Sequence, residues 1–149
     1  MALMGDAAHA CTPHQGQGAG MAFEDSWVLS EVLGRVLNGD KGEVGDMRKG
    51  EIGDNEGMKK GIECCLHAYD EIRRPRTQEM TRTSREMGVL LGFGEEGARR
   101  DVVKIKGDLD GRMGWIWDVD LRGEVDRGLE IARTKFRVEQ SMHGKQQPE

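Results

Sequence analysis

The chain has 149 residues, with 27 acidic and 22 basic side chains and a net charge of −5 at pH 7. That balance argues against nucleic-acid binding, and no apolar run is long enough to span a bilayer. Hydrophobic residues make up only 36% of the chain, mean hydropathy is −0.66 and glycine reaches 22 residues, so the core it can bury is thin and packing against something larger is expected.

Ala2 to Met4 read as the end of a strand, and Gly5 lets the chain leave a sheet without a Cβ clash. Asp6 then stands at the strand's carboxyl end, where a carboxylate either accepts hydrogen bonds from polyol hydroxyls or caps a turn. Pro13 stiffens the loop that follows. Gly16, Gly18 and Gly20 open a helix expected over Ala19 to Leu37, and its N-terminus favours an anion or a developing negative charge. The glycine spacing is not the dinucleotide fingerprint. Ala22, Ser26, Leu29, Leu33 and Val36 fall on one face of this helix, widened by Val28, Val32 and Leu37. Glu24 and Asp25 read as first-turn acids facing the helix dipole. Of the two loop-side histidines, His9 reads as a packing and hydrogen-bonding residue and His14 as a solvated one. Neither is assigned a catalytic role, and catalytic residues stay unknown.

Residues 39–57 mix glycine with charges and read as a flexible loop. Helix resumes over 58–91 with Ile62, Leu66, Tyr69 and Ile72 as its apolar stripe, a kink or new start at Pro75, and Met80, Ser84 and Met87 beyond it. Arg73, Arg74 and Arg76 read as partners of carboxylates, with a phosphate site for NAD(P)H as the other reading. An amphipathic segment spans 98–117, where Trp115 and Trp117 read as an aromatic anchor, with an aromatic substrate cage as the alternative. A last helix covers 124–140, and 142–149 reads as a disordered tail. Three cysteines, two of them adjacent at Cys64-Cys65, fit a reducing compartment better than a disulfide framework, so a cytoplasmic location is expected and no metal site is.

Gly5-Asp6-Ala7-Ala8-His9, Pro13, Gly16-Gln17-Gly18 and Glu24-Asp25 together resemble the second FAD motif of the class A flavoprotein monooxygenases. This is the family of the para-hydroxybenzoate and salicylate hydroxylases. Tyr69-Asp70-Glu71-Ile72-Arg73-Arg74-Pro75-Arg76 and Trp115-Ile116-Trp117-Asp118 resemble strings of its fungal salicylate hydroxylase-like branch. The resemblance implies that Asp6 binds the ribityl chain and Pro13 lies beside the isoalloxazine ring. The turn from Gly16 then leads to backbone amides of Gly18, Ala19 and Gly20 facing the N1–C2=O edge. It implies FAD as cofactor, NAD(P)H as co-substrate and hydroxylation of a small aromatic ring.

The family's Gly-x-Gly-x-x-Gly turn, its middle motif and its substrate sheet are absent from these residues. The expectation is therefore a C-terminal piece of that fold. It is mostly α as it stands: 1–38 would complete an α/β FAD-binding domain, 39–57 would be the loop and 58–141 a helical extension. Such a piece is expected to be inactive alone, not to bind FAD tightly, and to associate with a missing N-terminal half or a paralogue. The alternative is a non-catalytic helical interaction module derived from the same family.

Overall fold

The computed structural model describes residues 1–38, 55–92 and 102–143. Its helices are α1 (Asp6–His9), α2 (Gly18–Asn38), α3 (Asn55–Leu91), α4 (Val102–Asp110), α5 (Gly114–Trp117) and α6 (Leu121–His143), with a 3-10 turn at Pro13–Gln15. There is no strand among the described residues, in keeping with a mostly helical chain. Residues 2–4, expected as a strand end, are irregular. A strand needs a neighbour's backbone to pair with, and the described residues offer none.

The long helices follow the periodicity, with two corrections. First, the buried side of α2 is Met21, Asp25, Val28, Val32 and Val36. The face is thus centred on the β-branched residues that were expected to widen it, while Ser26 is exposed and Leu29 and Leu33 are half-buried. Second, of the kink or new start expected at Pro75 the new start does not occur: α3 runs through Pro75 as one helix. Proline forfeits one backbone donor, and here the packing on both sides of it outweighs that loss. The expected 98–117 segment is two helices, α4 and α5, parted by a turn at 111–113, and its first residues lie outside the described ones. Most of the 39–57 loop and residues 144–149 also lie outside them, while α3 starts at Asn55 and α6 extends through His143.

The chain divides into two compact units. One comprises Met1–Ala2, Ser26–Arg73 and Leu121–Glu149. Its core is formed by Val28, Val32 and Val36 of α2, Cys64, Cys65, Ala68, Tyr69 and Ile72 of α3, and Val125, Leu129, Ala132 and Phe136 of α6. Ion pairs Arg73–Glu124 at 2.8 Å and Lys60–Glu139 at 4.0 Å run in opposite residue order along α3 and α6, so these two helices are antiparallel. Gly128 lies where they meet α2: a Cβ there would come 2.8 Å from Ile72 Cδ1 and 3.0 Å from Val32 Cγ2. Burial in this core raises the Cys64 thiol to about 11, with Glu139 adding to the effect, and the Cys65 thiol to about 12, with Cys64 adding to it.

The other unit comprises Leu3–Asp25 and Arg74–Asp120. Its apolar cluster is small and rich in sulfur: Met21, Met80 and Ile116, with Cys11, Met113 and Trp115 packed against them. Hydrogen bonds of buried and half-buried side chains supply much of the remaining order here, and the site residues belong to this unit.

Candidate functional site

Gly5 begins the site with φ at 56°, the left-handed region that favours glycine, and a Cβ on it would press on Ala22 Cβ at 3.3 Å. Its carbonyl accepts from the Ala8 and His9 amides at 2.9 Å each, which closes the single turn of α1. Its own amide donates to Asp25 Oδ2 at 3.1 Å. The same oxygen lies 2.6 Å from His9 Nε2. Asp25 is fully buried, so one carboxylate on α2 pins both ends of the Gly5–His9 turn and leaves Asp6 exposed at its head.

Asp25 is therefore more than a first-turn acid. The sequence carried one signal for this: residue 25 falls in the 21, 25, 28, 32 series of the buried face, and a carboxylate on such a face needs partners. His9 is the hydrogen-bonding residue expected. Glu24 also departs from the dipole reading, because both its oxygens accept from Arg76, at 2.8 and 2.9 Å. The same guanidinium donates to the carbonyls of Trp115 and Ile116, at 2.9 Å each, and lies 5.3 Å from the Trp115 ring centroid. Arg73 and Arg76 thus pair with carboxylates, as expected of the cluster. Trp115 is an anchor, but Trp117 is 65% exposed and is not part of one.

Beyond α1 the chain makes the 3-10 turn Pro13–Gln15. Gly16 ends it in the left-handed conformation, φ 66°, its amide donating to the Pro13 carbonyl at 3.0 Å. The first helical bond of α2 runs from the Met21 amide to the Gln17 carbonyl at 2.9 Å. The amides of Gly18, Ala19 and Gly20 precede it, forming the positive end of a helix of 21 residues. All six residues expected to meet a cofactor lie in this unit. Asp6, Pro13, Gly16 and Ala19 are exposed, while Gly18 and Gly20 are half-buried. A Cβ on Gly16 would find no heavy atom within 4 Å, so the turn is open on that side. An exposed carboxylate and three helix-start amides can accept from hydroxyl groups and stabilise negative charge, and so fit the two halves of a flavin that carry those features.

A cleft of about 540 Å³ beside α1 is lined by Ala8–Ala10 and by Gln78, Thr81, Arg82, Arg85 and Glu86. Arg82 is held by Glu79 and Glu86, and its hydrogen bond keeps the Glu79 carboxyl below the usual carboxylate range.

The family model for the FAD binding domain matches residues 1–45. Salicylate hydroxylase of Pseudomonas putida is 33% identical over 134 residues, covering 90% of this chain and 26% of that protein. The 6-methylsalicylate 1-monooxygenase of Aspergillus terreus is 36% identical over 121 residues, covering 81% of this chain and 23% of its own length. A solved salicylate hydroxylase substrate complex superposes with a TM-score of 0.66 at 37% identity, covering 85% of this chain and 26% of that one. The chain spans about a quarter of the length of the curated relatives it matches. FAD is the cofactor named for the family model and for several of the relatives. Likeness in sequence and in fold agree, and over the span it shares with them the chain belongs to the class A flavoprotein monooxygenases of salicylate hydroxylase type.

Proposed function

We propose that this chain supplies the ribityl- and ring-facing side of an FAD site in an NAD(P)H-dependent monooxygenase of small aromatic substrates. Asp6 accepts hydrogen bonds from the ribityl hydroxyls. Pro13 presents a rigid apolar face to the ring. Gly16 gives the turn its left-handed close, and the amides of Gly18, Ala19 and Gly20 point at the ring edge where reduction leaves negative charge. Bound FAD supplies the redox chemistry; these residues hold and orient it. The observation that carries the reading is the Gly5–Asp25 lock, which fixes an exposed Asp6 at the head of its turn in the same unit as the open N-terminus of α2.

With one side of the site in these residues, tight FAD binding and hydroxylation by the chain alone are not expected. The remaining three quarters of the relatives' length would provide the other contacts and the exclusion of water. The three thiols, none in a disulfide, favour a reducing compartment such as the cytosol.

The test is an amide NMR titration of the full chain with FAD. Progressive shifts are expected at Gly18, Ala19 and Gly20, saturating in the micromolar range or above, roughly −8 kcal/mol or weaker. Asp6→Ala should weaken them about tenfold or more, the value of a hydrogen bond to a charged group. Shifts scattered over the surface, or unaltered by Asp6→Ala, would overturn the assignment. A second reading, a helical interaction module, is favoured by the exposed Phe23 and Trp117. It predicts a defined oligomer by light scattering with no amide response to FAD.

A further inference from the structure

We propose that Thr83, Ser84 and Gly88 of α3 are positioning residues for the cofactor turn. They clamp residues 12, 14 and 15 and leave Pro13 exposed between them. This rests on the flavin reading of that turn, and deepens it.

Contacts between three residue pairs, each pair 68 or more apart in sequence, support the clamp. Ser84 is fully buried, and its hydroxyl donates to the Thr12 carbonyl at 2.6 Å. A serine has one hydroxyl proton, so at the 2.5 Å contact between Thr12 Oγ1 and Ser84 Oγ the threonine must be the donor. Thr12 is thereby held through both its backbone and its side chain. Thr83 Oγ1 lies 3.1 Å from Oε1 of the buried Gln15 and 3.0 Å from the Glu79 carbonyl of its own helix, so its one proton is shared between the turn and α3. His14 lies across Gly88: a Cβ on that glycine would be 2.7 Å from His14 Cε1 and 2.8 Å from Nδ1, so the ring needs a bare Cα beneath it. Ser84 and Gly88 are one helical turn apart and share a face of α3.

The consequence is directional. Thr12, His14 and Gln15 are all held against α3, whereas Pro13 is exposed. The Pro13 carbonyl takes the Gly16 amide at 3.0 Å, so fixing its neighbours also fixes where the glycine turn closes and where α2 begins. A ligand meeting Pro13 and the α2 amides would then find them already arranged, with little ordering left to do on binding. The His14 reading changes too: it is an exposed side chain with a defined seat.

The experiment is residue-resolved amide hydrogen exchange on the full chain without flavin, for Ser84→Ala, Thr83→Val, Thr83→Ser and Gly88→Ala. Ser84→Ala and Thr83→Val should speed exchange at the Gly16 and Met21 amides about tenfold, the equivalent of one hydrogen bond. Amides of residues 125–136 should stay as they were. Thr83→Ser, which keeps the hydroxyl, should restore the slow exchange. Gly88→Ala should move the His14 ring resonances. Unchanged Gly16 exchange in Ser84→Ala and Thr83→Val, or acceleration spread evenly over both units, would overturn the proposal. The FAD titration above separates the two ideas. Amide shifts at 18–20 with exchange indifferent to these substitutions sink the clamp and spare the flavin reading. Exchange that responds as expected, with no FAD shifts in any form, sinks the flavin reading and spares the clamp.

Discussion

Asp25 shows how far a single residue's role depends on what folds against it. Its place in the first turns of α2 suggested a dipole partner, and the series of buried positions it belongs to was the only hint otherwise. The partners that decide its role, the Gly5 amide and His9, are 20 and 16 residues away. Removing one member of a buried charged cluster strands the other, so Asp25→Ala and His9→Ala should each destabilise the chain by about 3 kcal/mol, measured by urea unfolding. Their double variant should lose clearly less than the sum of the two. Strict additivity would mean that the 2.6 Å contact contributes nothing. The cysteines give a second test at this scale. Cys64 and Cys65 are buried with raised thiols, whereas Cys11 is half-buried. At neutral pH a chromogenic disulfide reagent should titrate one thiol in the folded chain and three after denaturation; three from the outset would contradict the burial.

Elements were the most legible scale, because a 3.6-residue period leaves its mark over twenty residues or more. The extents of α2, α3 and α6 were readable within a few residues, and Met80, Ser84 and Met87 are buried together as expected. What periodicity did not provide was the rotation of α2, since Leu29 and Leu33 compete with Val28 and Val32 for the same core. Nor did it provide the fate of Pro75, or the split of α4 from α5. These are settled by tertiary contacts. Gly128 marks such a contact. Alanine there gains roughly 1 kcal/mol in helix propensity, but its Cβ would sit 2.8 Å from Ile72 Cδ1 and 3.0 Å from Val32 Cγ2. The isoleucine tip can swing away, while the branched valine yields less. Overpacking of about 1–3 kcal/mol should prevail, so Gly128→Ala should lower the unfolding midpoint; a rise would show that Val32 gives way to the added methyl. Arg76 is the corresponding joint of the other unit. Lysine cannot reproduce its fork to Glu24 and the carbonyls of Trp115 and Ile116. Arg76→Lys should therefore cost about 2 kcal/mol and speed amide exchange selectively at 116–118, the residues that close α5.

At the scale of the whole molecule, composition foretold a thin core and the structure shows where it is thinnest: one unit has a largely apolar helical core that also buries Arg73 and Arg133, the other a methionine cluster braced by polar contacts. No helix among the described residues is long and apolar enough to cross a membrane. The buried thiols also shape how stability depends on pH. Their folded values, about 11 and about 12, lie above the ordinary 9.0, so their contribution is complete below pH 9 and is lost as pH rises from there toward 11 and beyond. Stability measured between pH 8 and 11 should fall, and a Cys64→Ala/Cys65→Ala variant should flatten that decline; an identical slope would assign it to other groups. The family was legible from a string of residues because the chemistry of the turn is local, whereas the clamp on that turn was hidden because it comes from residues some seventy positions away. The lock at Asp25 has a further consequence, for descent. The Gly-Asp-Ala-Ala-His string and the Glu-Asp pair look like two separate signatures, yet Gly5, His9 and Asp25 share one oxygen atom. Positions 9 and 25 should therefore drift only as a couple, and a lineage that has exchanged one without the other should already have abandoned the turn that presents Asp6.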